Sequence, residues 1–274
     1  SPCTLVERSQ TVGGASHRAA GFLAGSWGDG QITEGLHRAS FAMHMQLANE
    51  LNVQSFRPIQ ALRVGMRAHW LQGKADGNET GQHGATAGQM AEVKAAQGPS
   101  WLDGDEVAST SLLDSEAAQV DPAELREAML KSAVAHGTKL VTGEVTGIDT
   151  TTYIDDDDNS HRRVSRVRLR DGSLLAADQV CVALGPWSCA VEDWLGVPLP
   201  LEGVLSSSAV WRQGEAAGLD PAASLFCEED TRGCHLEVHP RVNGDLYVCG
   251  CGGSRVVSAS ELRAGDMPAE AACV

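Results

Sequence analysis

The chain has 274 residues, 42% of them hydrophobic and 21% charged, the composition of a globular protein with one large domain or two modest ones. Its formal net charge of −15 repels phosphate backbones and anionic lipid surfaces, which argues against nucleic acid and membrane as partners. No apolar run approaches the roughly 18 residues of a membrane span and no basic-then-apolar leader opens the chain, so the expected compartment is intracellular, the cytoplasm, and the eight cysteines are expected as reduced thiols.

In chain order, Cys3–Val6 predicts a short buried strand with Glu7 at its C-terminal tip. A small-residue loop, TVGGASHRAAGFLAGSWGDG, follows; such a loop lets backbone approach a ligand closely. From Ile32 to Leu51 the apolar residues Ile32, Leu36, Ala39, Met43, Leu47 and Leu51 recur at helical spacing and predict an amphipathic helix. SFRPIQALRVGM predicts a strand broken at Pro58, and the Gly-, Ala- and Gln-rich stretch from Gln72 to Gly98 predicts a loop without chemistry. Asp121, Pro122 and Glu124 mark a helix start, with Asp121 as cap, Pro122 in the first position and Glu124 completing a capping box. Leu125, Met129 and Ala133 line one face of that helix, and Gly137 ends it.

Next, KLVTGEVTGI predicts a strand and VSRVRLR alternates with period two. Asp171-Gly172 predicts a two-residue hairpin turn, and SLLAADQVCVALG closes on an apolar run read as a buried strand. GPWSCAVEDWLG reads as a loop passing into a helix. From Val204 onward strands dominate, with Asn243-Gly244 as a further turn. The order is α/β first and mainly antiparallel β afterwards, which predicts two domains with interleaved boundaries.

Glu7 is the first candidate site residue, because an acidic residue at the tip of a strand in a dinucleotide fold accepts hydrogen bonds from ribose hydroxyls. On its own it is equally a charged strand end at the surface. TLVERS, GGASHRAAGFLA, AQVDPAELREAMLKSAVAHG, GEVTGI and ADQVCVALGPWS stand, however, in one order. From Thr4 to about Gly250, apart from the Gln72 to Gly98 stretch, that order resembles the FAD-dependent oxidoreductases of the D-amino-acid-oxidase superfamily.

The resemblance implies an α/β fold in which a Rossmann-like FAD-binding domain interleaves with a mainly antiparallel β substrate domain. Residues 1–50 and 116–200 would form the two FAD-binding parts, the second with a β-meander. Residues 51–115 would hold loop and substrate-domain segments, and 201–274 the antiparallel substrate-domain segment. The implied cofactor is FAD. Glu7, with Arg8 beside it, would hold the adenosine ribose, while Gly14, Ala15, Ser16, Arg18 and Ala19 would run beside the pyrophosphate and flavin. Arg18 would offset negative charge there. Val145 would pair its backbone with adenine; Ala183, Leu184 and Gly185 would pass close to the cofactor, and Trp187 would open the next helix. Without the resemblance Val145 and Leu184 read as strand core. The implied reaction is oxidation of an amine or amino acid by hydride transfer to flavin, needing no obligatory acid–base residue, so no catalytic residue is assigned.

The family pattern also predicts segments that this sequence does not show. No G-x-G-x-x-G precedes Glu7, and no Gly-rich segment follows Val257 to return to the cofactor. Both cofactor-closing segments are therefore expected to be missing, which would leave a truncated chain that binds FAD poorly. Two alternatives stand beside the enzyme reading: a non-catalytic remnant of such a flavoprotein, and a glycerol-phosphate-type flavin dehydrogenase, for which Arg212 and Arg241 are the available phosphate ligands.

Other candidates have plainer readings. His235 and His239 are four apart in HLEVH, but on a strand that spacing is roughly 13 Å, too far to share a metal. They are expected as surface or pocket-wall residues. Cys227, Cys234, Cys249 and Cys251 match no zinc-knuckle spacing and read as buried thiols. Asp155 to Asp158 reads as a solvated hairpin tip. No metal is assigned.

Overall fold

The computed structural model describes residues 3–8, 14–67, 98–102, 104–105, 107–212, 219–229, 234–250 and 254–264. Of the stretch from Gln72 to Gly98, read above as a loop, all but Gly98 lies outside the described residues. The chain divides into two compact units, the first drawn from residues 1–17, 130–205 and 255–274 and the second from 18–129 and 206–254.

The second unit is built on a seven-stranded sheet. Its strands run in the order Ser208–Trp211, Leu246–Cys249, Glu237–Pro240, Ala223–Cys227, Arg57–Met66, Val107–Gln119 and Phe22–Ala24. Ala223–Cys227 and Arg57–Met66 pair in parallel, and the other neighbours are antiparallel. The strand Arg57–Met66 runs through Pro58 rather than breaking there. Pro58 is the second residue of the strand and stands opposite Ala118, near an end where a missing N–H is tolerated.

Alternation gives this sheet two different faces. Leu62, Val64, Ala223, Leu225 and Val238 form one buried cluster, joined by Trp101 and Leu102. Complete burial of Leu62 and Leu225 stabilises by roughly 1.5–3 kcal/mol each. The opposite face buries Ile59, Ala61 and Ala117 against Phe22, Trp27 and Phe226. Those three aromatic rings pack tilted or edge-on, with centroids 4.9–5.1 Å apart.

The helix expected from Ile32 to Leu51 spans Glu34–Glu50. Its apolar stripe is only partly used: Ala48 is buried and Leu47 and Leu51 half-buried, whereas Ile32, Leu36 and Met43 are exposed. Ala48 and Leu51 pack with Val53, Val120 and Leu23, while toward the N-terminal end Arg38 ion-pairs with Glu116 of the strand Val107–Gln119.

The next helix, Pro122–Ala135, starts where Asp121-Pro122 placed it. Asp121 Oδ1 accepts from the Ala123 N–H at 2.8 Å, a cap of the expected kind. The capping box does not close. The Asp121 N–H donates to Ser55 Oγ, and the Glu124 carboxylate accepts instead from the N–H groups of Gln54 (2.7 Å) and Ser55 (2.9 Å). Burial pushes the Glu124 carboxyl up, but the Ser55 hydroxyl and these two N–H groups outweigh it and hold the group below its usual value. A depressed carboxylate stabilises the fold above its unfolded value of about 4.3, and that contribution is lost as pH falls through the folded value. Glu124→Gln is accordingly expected to cost about 1 kcal/mol at pH 7 and progressively less below about pH 4, as read by thermal unfolding at the two pH values. An equal cost at both would show that the charge plays no part. Gly137, at φ +93°, ends the helix: its N–H reaches Val134 O, and the Thr138 N–H reaches Ala133 O.

In the first unit, Thr4–Glu7 pairs in parallel with Lys139–Thr142, and Val145–Ile154, Ser160–Leu169 and Leu174–Ala176 form an antiparallel meander. Gly203–Leu205 pairs with Arg255–Val257, beside which Cys189, Val257 and Leu262 make a small core. Two strand expectations need correction here. KLVTGEVTGI is two strands, divided at Gly143 and Glu144. In QVCVALG, read as a buried strand, Cys181 and Val182 are exposed, and no described strand pairs with it. Leu5 and Leu140 of the parallel pair are also exposed. A run apolar on both sides is buried only when flanked in a sheet and covered on both faces, and the described residues supply neither.

Three hairpins close in the same way. The N–H of Asp155, Leu169 and Arg241 donates to the carbonyl four residues on, at 3.0, 2.9 and 2.8 Å. The third loop residue takes positive φ: Asp158 at 66°, Gly172 at 88° and Gly244 at 84°. Each is a three-residue loop of the type I turn plus bulge kind, so the turn at Asp171-Gly172 is one residue longer than expected. The Asp155–Asp158 run is a hairpin tip, as read from the sequence: Asp155 accepts from the Asp157 and Asn159 N–H groups and contacts the His161 ring at 2.7 Å.

Candidate functional site

In the first unit Glu7 and Thr142 stand side by side at the C-terminal ends of the parallel strands. Ligands of open α/β sheets bind beyond such ends. The Glu7 carbonyl accepts from the Gly143 N–H at 2.8 Å, which fixes the turn carrying Glu144 and Val145 against it. Glu144 is ion-paired to Arg170, and that hydrogen bond, with the charges of Arg170 and Arg8, holds its carboxyl below the usual range against the opposing effect of burial. The Arg8 guanidinium lies 5.5 Å from the centre of the Trp187 ring, within cation–π range. The segments around Glu7, Val145 and Trp187, distant in sequence, thus converge on one end of the parallel pair.

The remaining candidates of this unit are open. Gly14, at φ +93°, leads into the short helix Ala15–Arg18, on which Ala15 and Ser16 are exposed. Ala183 is exposed, Leu184 half-buried, and Gly185, at φ +58°, starts the 3₁₀ turn Gly185–Ala190 that holds Trp187. A side chain placed on Gly14 or Gly185 would meet nothing within 4 Å, so both backbones can be approached closely. A carboxylate acceptor at a strand tip, two open glycine backbones and a nearby guanidinium suit a ligand that carries hydroxyls and phosphates.

Arg18 and Ala19 fall in the second unit. The Ala19 carbonyl accepts from Arg241 Nη2 at 3.1 Å, and the Arg241 guanidinium lies 5.2 Å over the Tyr247 ring. A cavity of about 230 Å³ lies there, lined by Gln54, Ser55, Gln119, Asp121, Glu124 and Arg241 among others.

The sheet face behind Tyr247 carries a polar group that chain order did not reveal. His239 is fully buried, neither at the surface nor on a pocket wall. Its ring packs against Phe22, Phe226 and Tyr247, and its Nδ1 lies 2.9 Å from Ser224 Oγ. Glu237 and Cys249 stand opposite each other in the register, with His239 two residues along on the same face as Glu237. Hydrogen bonding from His239 holds the Glu237 carboxyl below its usual range, against burial. Counting outward from Asn243 puts Glu237 opposite Cys249, a signal already present in the sequence once the turn is recognised.

The family model described as FAD dependent oxidoreductase matches residues 2–270. Among solved structures, the chain resembles L-amino acid deaminase from Proteus myxofaciens at a TM-score of 0.63 and 17% identity, over 91% of this chain and 53% of that one. It resembles glycine oxidase from Geobacillus kaustophilus at a TM-score of 0.59 and 16% identity, over 92% and 65%. Iminodiacetate oxidase from Chelativorans sp. BNC1 matches at a TM-score of 0.58 and 16% identity, over 93% and 65%. The chain spans between half and two thirds of the length of these proteins.

Proposed function

Because the chain belongs to the family of FAD-dependent oxidoreductases, we propose that it serves an enzyme that oxidises an amine or amino acid. The observation that carries this reading is the convergence of Glu7, the Gly143–Val145 turn and Trp187 on the C-terminal end of one parallel strand pair. The Glu7 carboxylate would accept from the ribose hydroxyls of FAD, and the Val145 backbone would face the adenine. Gly14, Ala15 and Ser16 on one side and Ala183, Leu184 and Gly185 on the other would let the cofactor lie against bare backbone, with Arg8 and Trp187 closing the group. Bound there, FAD supplies the two-electron acceptor for a hydride from the carbon bearing the amine. The neighbours are named for amino acids, glycine and iminodiacetate, a secondary amine, which supports a small amine or amino-acid substrate.

The test is anaerobic. The flavin-loaded protein is mixed with glycine, D- and L-amino acids and secondary amines, and the visible flavin absorbance is followed. Bleaching by at least one of them is expected, and absence of bleaching by all would overturn the reading. Glu7→Ala is expected to weaken FAD binding by roughly 10–100-fold, the loss of hydrogen bonds to a charged acceptor. Unchanged affinity in a flavin titration would remove Glu7 from the site.

A further inference from the structure

We infer that Glu237, His239 and Cys249 form a binding site for a divalent metal ion of the zinc class. Their ligand atoms, one each from a carboxylate, an imidazole and a thiol, all lie within 4.8 Å of one another. Glu237 Oε2 is 3.4 Å from His239 Nε2 and 3.4 Å from Cys249 Sγ. Zinc bonds of about 2.0–2.3 Å in a tetrahedron separate neighbouring ligands by about 3.3–3.8 Å, so both contacts match the edges of such a polyhedron.

The competing account is a hydrogen-bonded cluster. The thiol contact at 3.4 Å is of ordinary length for a sulfur donor, whereas the imidazole contact at 3.4 Å is longer than the about 2.7–2.9 Å of a charge-assisted bond to a carboxylate. In the metal-free protein these are contacts within the group, and a bound ion would replace them with three bonds to itself.

Three further observations fit. The carboxylate and a thiolate balance a dication, and the imidazole joins as a neutral ligand, so a partly buried group of charges becomes neutral as a whole. His239 Nε2 faces the cluster while Nδ1 is held by Ser224 Oγ, the arrangement in which the second ring nitrogen of a metal-bound histidine fixes its orientation. The three residues sit on two adjacent strands in fixed register, so their spacing is set by the sheet and not by a loop. Three protein ligands leave a fourth position for water.

The experiment uses the whole chain, without flavin, so its outcome is separate from the oxidase reading. Chelator-treated protein is titrated with Co²⁺. The expected result is one equivalent bound with the visible bands of tetrahedral cobalt and a near-ultraviolet thiolate-to-cobalt band, all displaced by Zn²⁺. Cys249→Ser is expected to abolish the thiolate band, and Glu237→Gln to weaken Co²⁺ binding by about tenfold or more. Circular dichroism of each variant confirms the fold, and Glu237→Gln, close to isosteric, carries the test if Cys249→Ser does not fold. Absence of the thiolate band in the parent, its persistence in Cys249→Ser, or unchanged affinity in Glu237→Gln would each overturn the site.

Discussion

Gly21→Ala is expected to destabilise the second unit by about 3–7 kcal/mol. Gly21 sits at φ +80°, and an added Cβ would stand 1.9 Å from the carbonyl oxygen of Val120 and 3.2 Å from Pro122 Cδ. No rotamer change relieves a clash with backbone. The chain must shift, and the Val120 N–H to Gly21 carbonyl bond of 2.9 Å is strained with it. Positive φ in a non-glycine residue costs of order 1–3 kcal/mol, forced overpacking a further 1–3, and a weakened backbone hydrogen bond about 1. Against a total stability of about 5–15 kcal/mol, this lowers the melting temperature by roughly 10 °C. Gly14→Ala is the control: it shares the positive φ, 93°, but its Cβ meets nothing within 4 Å. Its expected cost is confined to about 1 kcal/mol of backbone strain. Equal melting temperatures for the two variants would show that the close approach at Gly21 carries no energy.

Arg57→Met is expected to cost about 3–5 kcal/mol. The Arg57 guanidinium donates to the Pro221 carbonyl at 3.0 Å, to the Pro240 carbonyl at 2.9 Å and to the Gln119 side-chain oxygen, tying together three separate segments. Burial pushes the guanidinium pKa down, opposed by the charge of Asp220, but arginine stays protonated at any ordinary pH. Removing it strands two backbone carbonyls and an amide oxygen in a half-buried setting. Arg57→Lys is expected to recover little, because one ammonium cannot serve three acceptors arranged for a planar fork. Urea unfolding measures both. A lysine variant within 1 kcal/mol of the parent would mean that charge, not geometry, is what matters at this position.

The parts of the fold written locally were the parts legible beforehand. Asp121, Pro122 and Gly137 set both ends of a helix through their own backbone chemistry, and Asn243-Gly244 marked a hairpin where one exists. Glu124 misled because its capping role depends on which N–H groups lie nearby, and Gln54 and Ser55, distant in sequence, outcompete the Asp121 N–H. The apolar run near Val182 misled for a related reason, and the helix correctly read around Leu36 leaves that residue exposed: periodicity reports which side can be buried, not whether anything arrives to bury it. Glu7, Val145 and Trp187 were grouped by family resemblance, and the fold brings their segments to one end of the parallel strand pair. The Glu237, His239 and Cys249 group was missed because spacing along one strand was weighed, whereas the grouping crosses a hairpin.

The parallel neighbours at the middle of the seven-stranded sheet come from far apart in the gene. Ala223 pairs with Gln60, and the residues between them include a large inserted segment of the other unit. During synthesis at about 5–20 residues per second, Arg57–Met66 emerges on the order of ten seconds or more before its partner. Throughout that interval Leu62 and Val64 lack the strand that later covers their flank. Nascent chains should therefore engage hold-type chaperones over this window, and folding should be slow for the protein's size, since long-range closure precedes its reward.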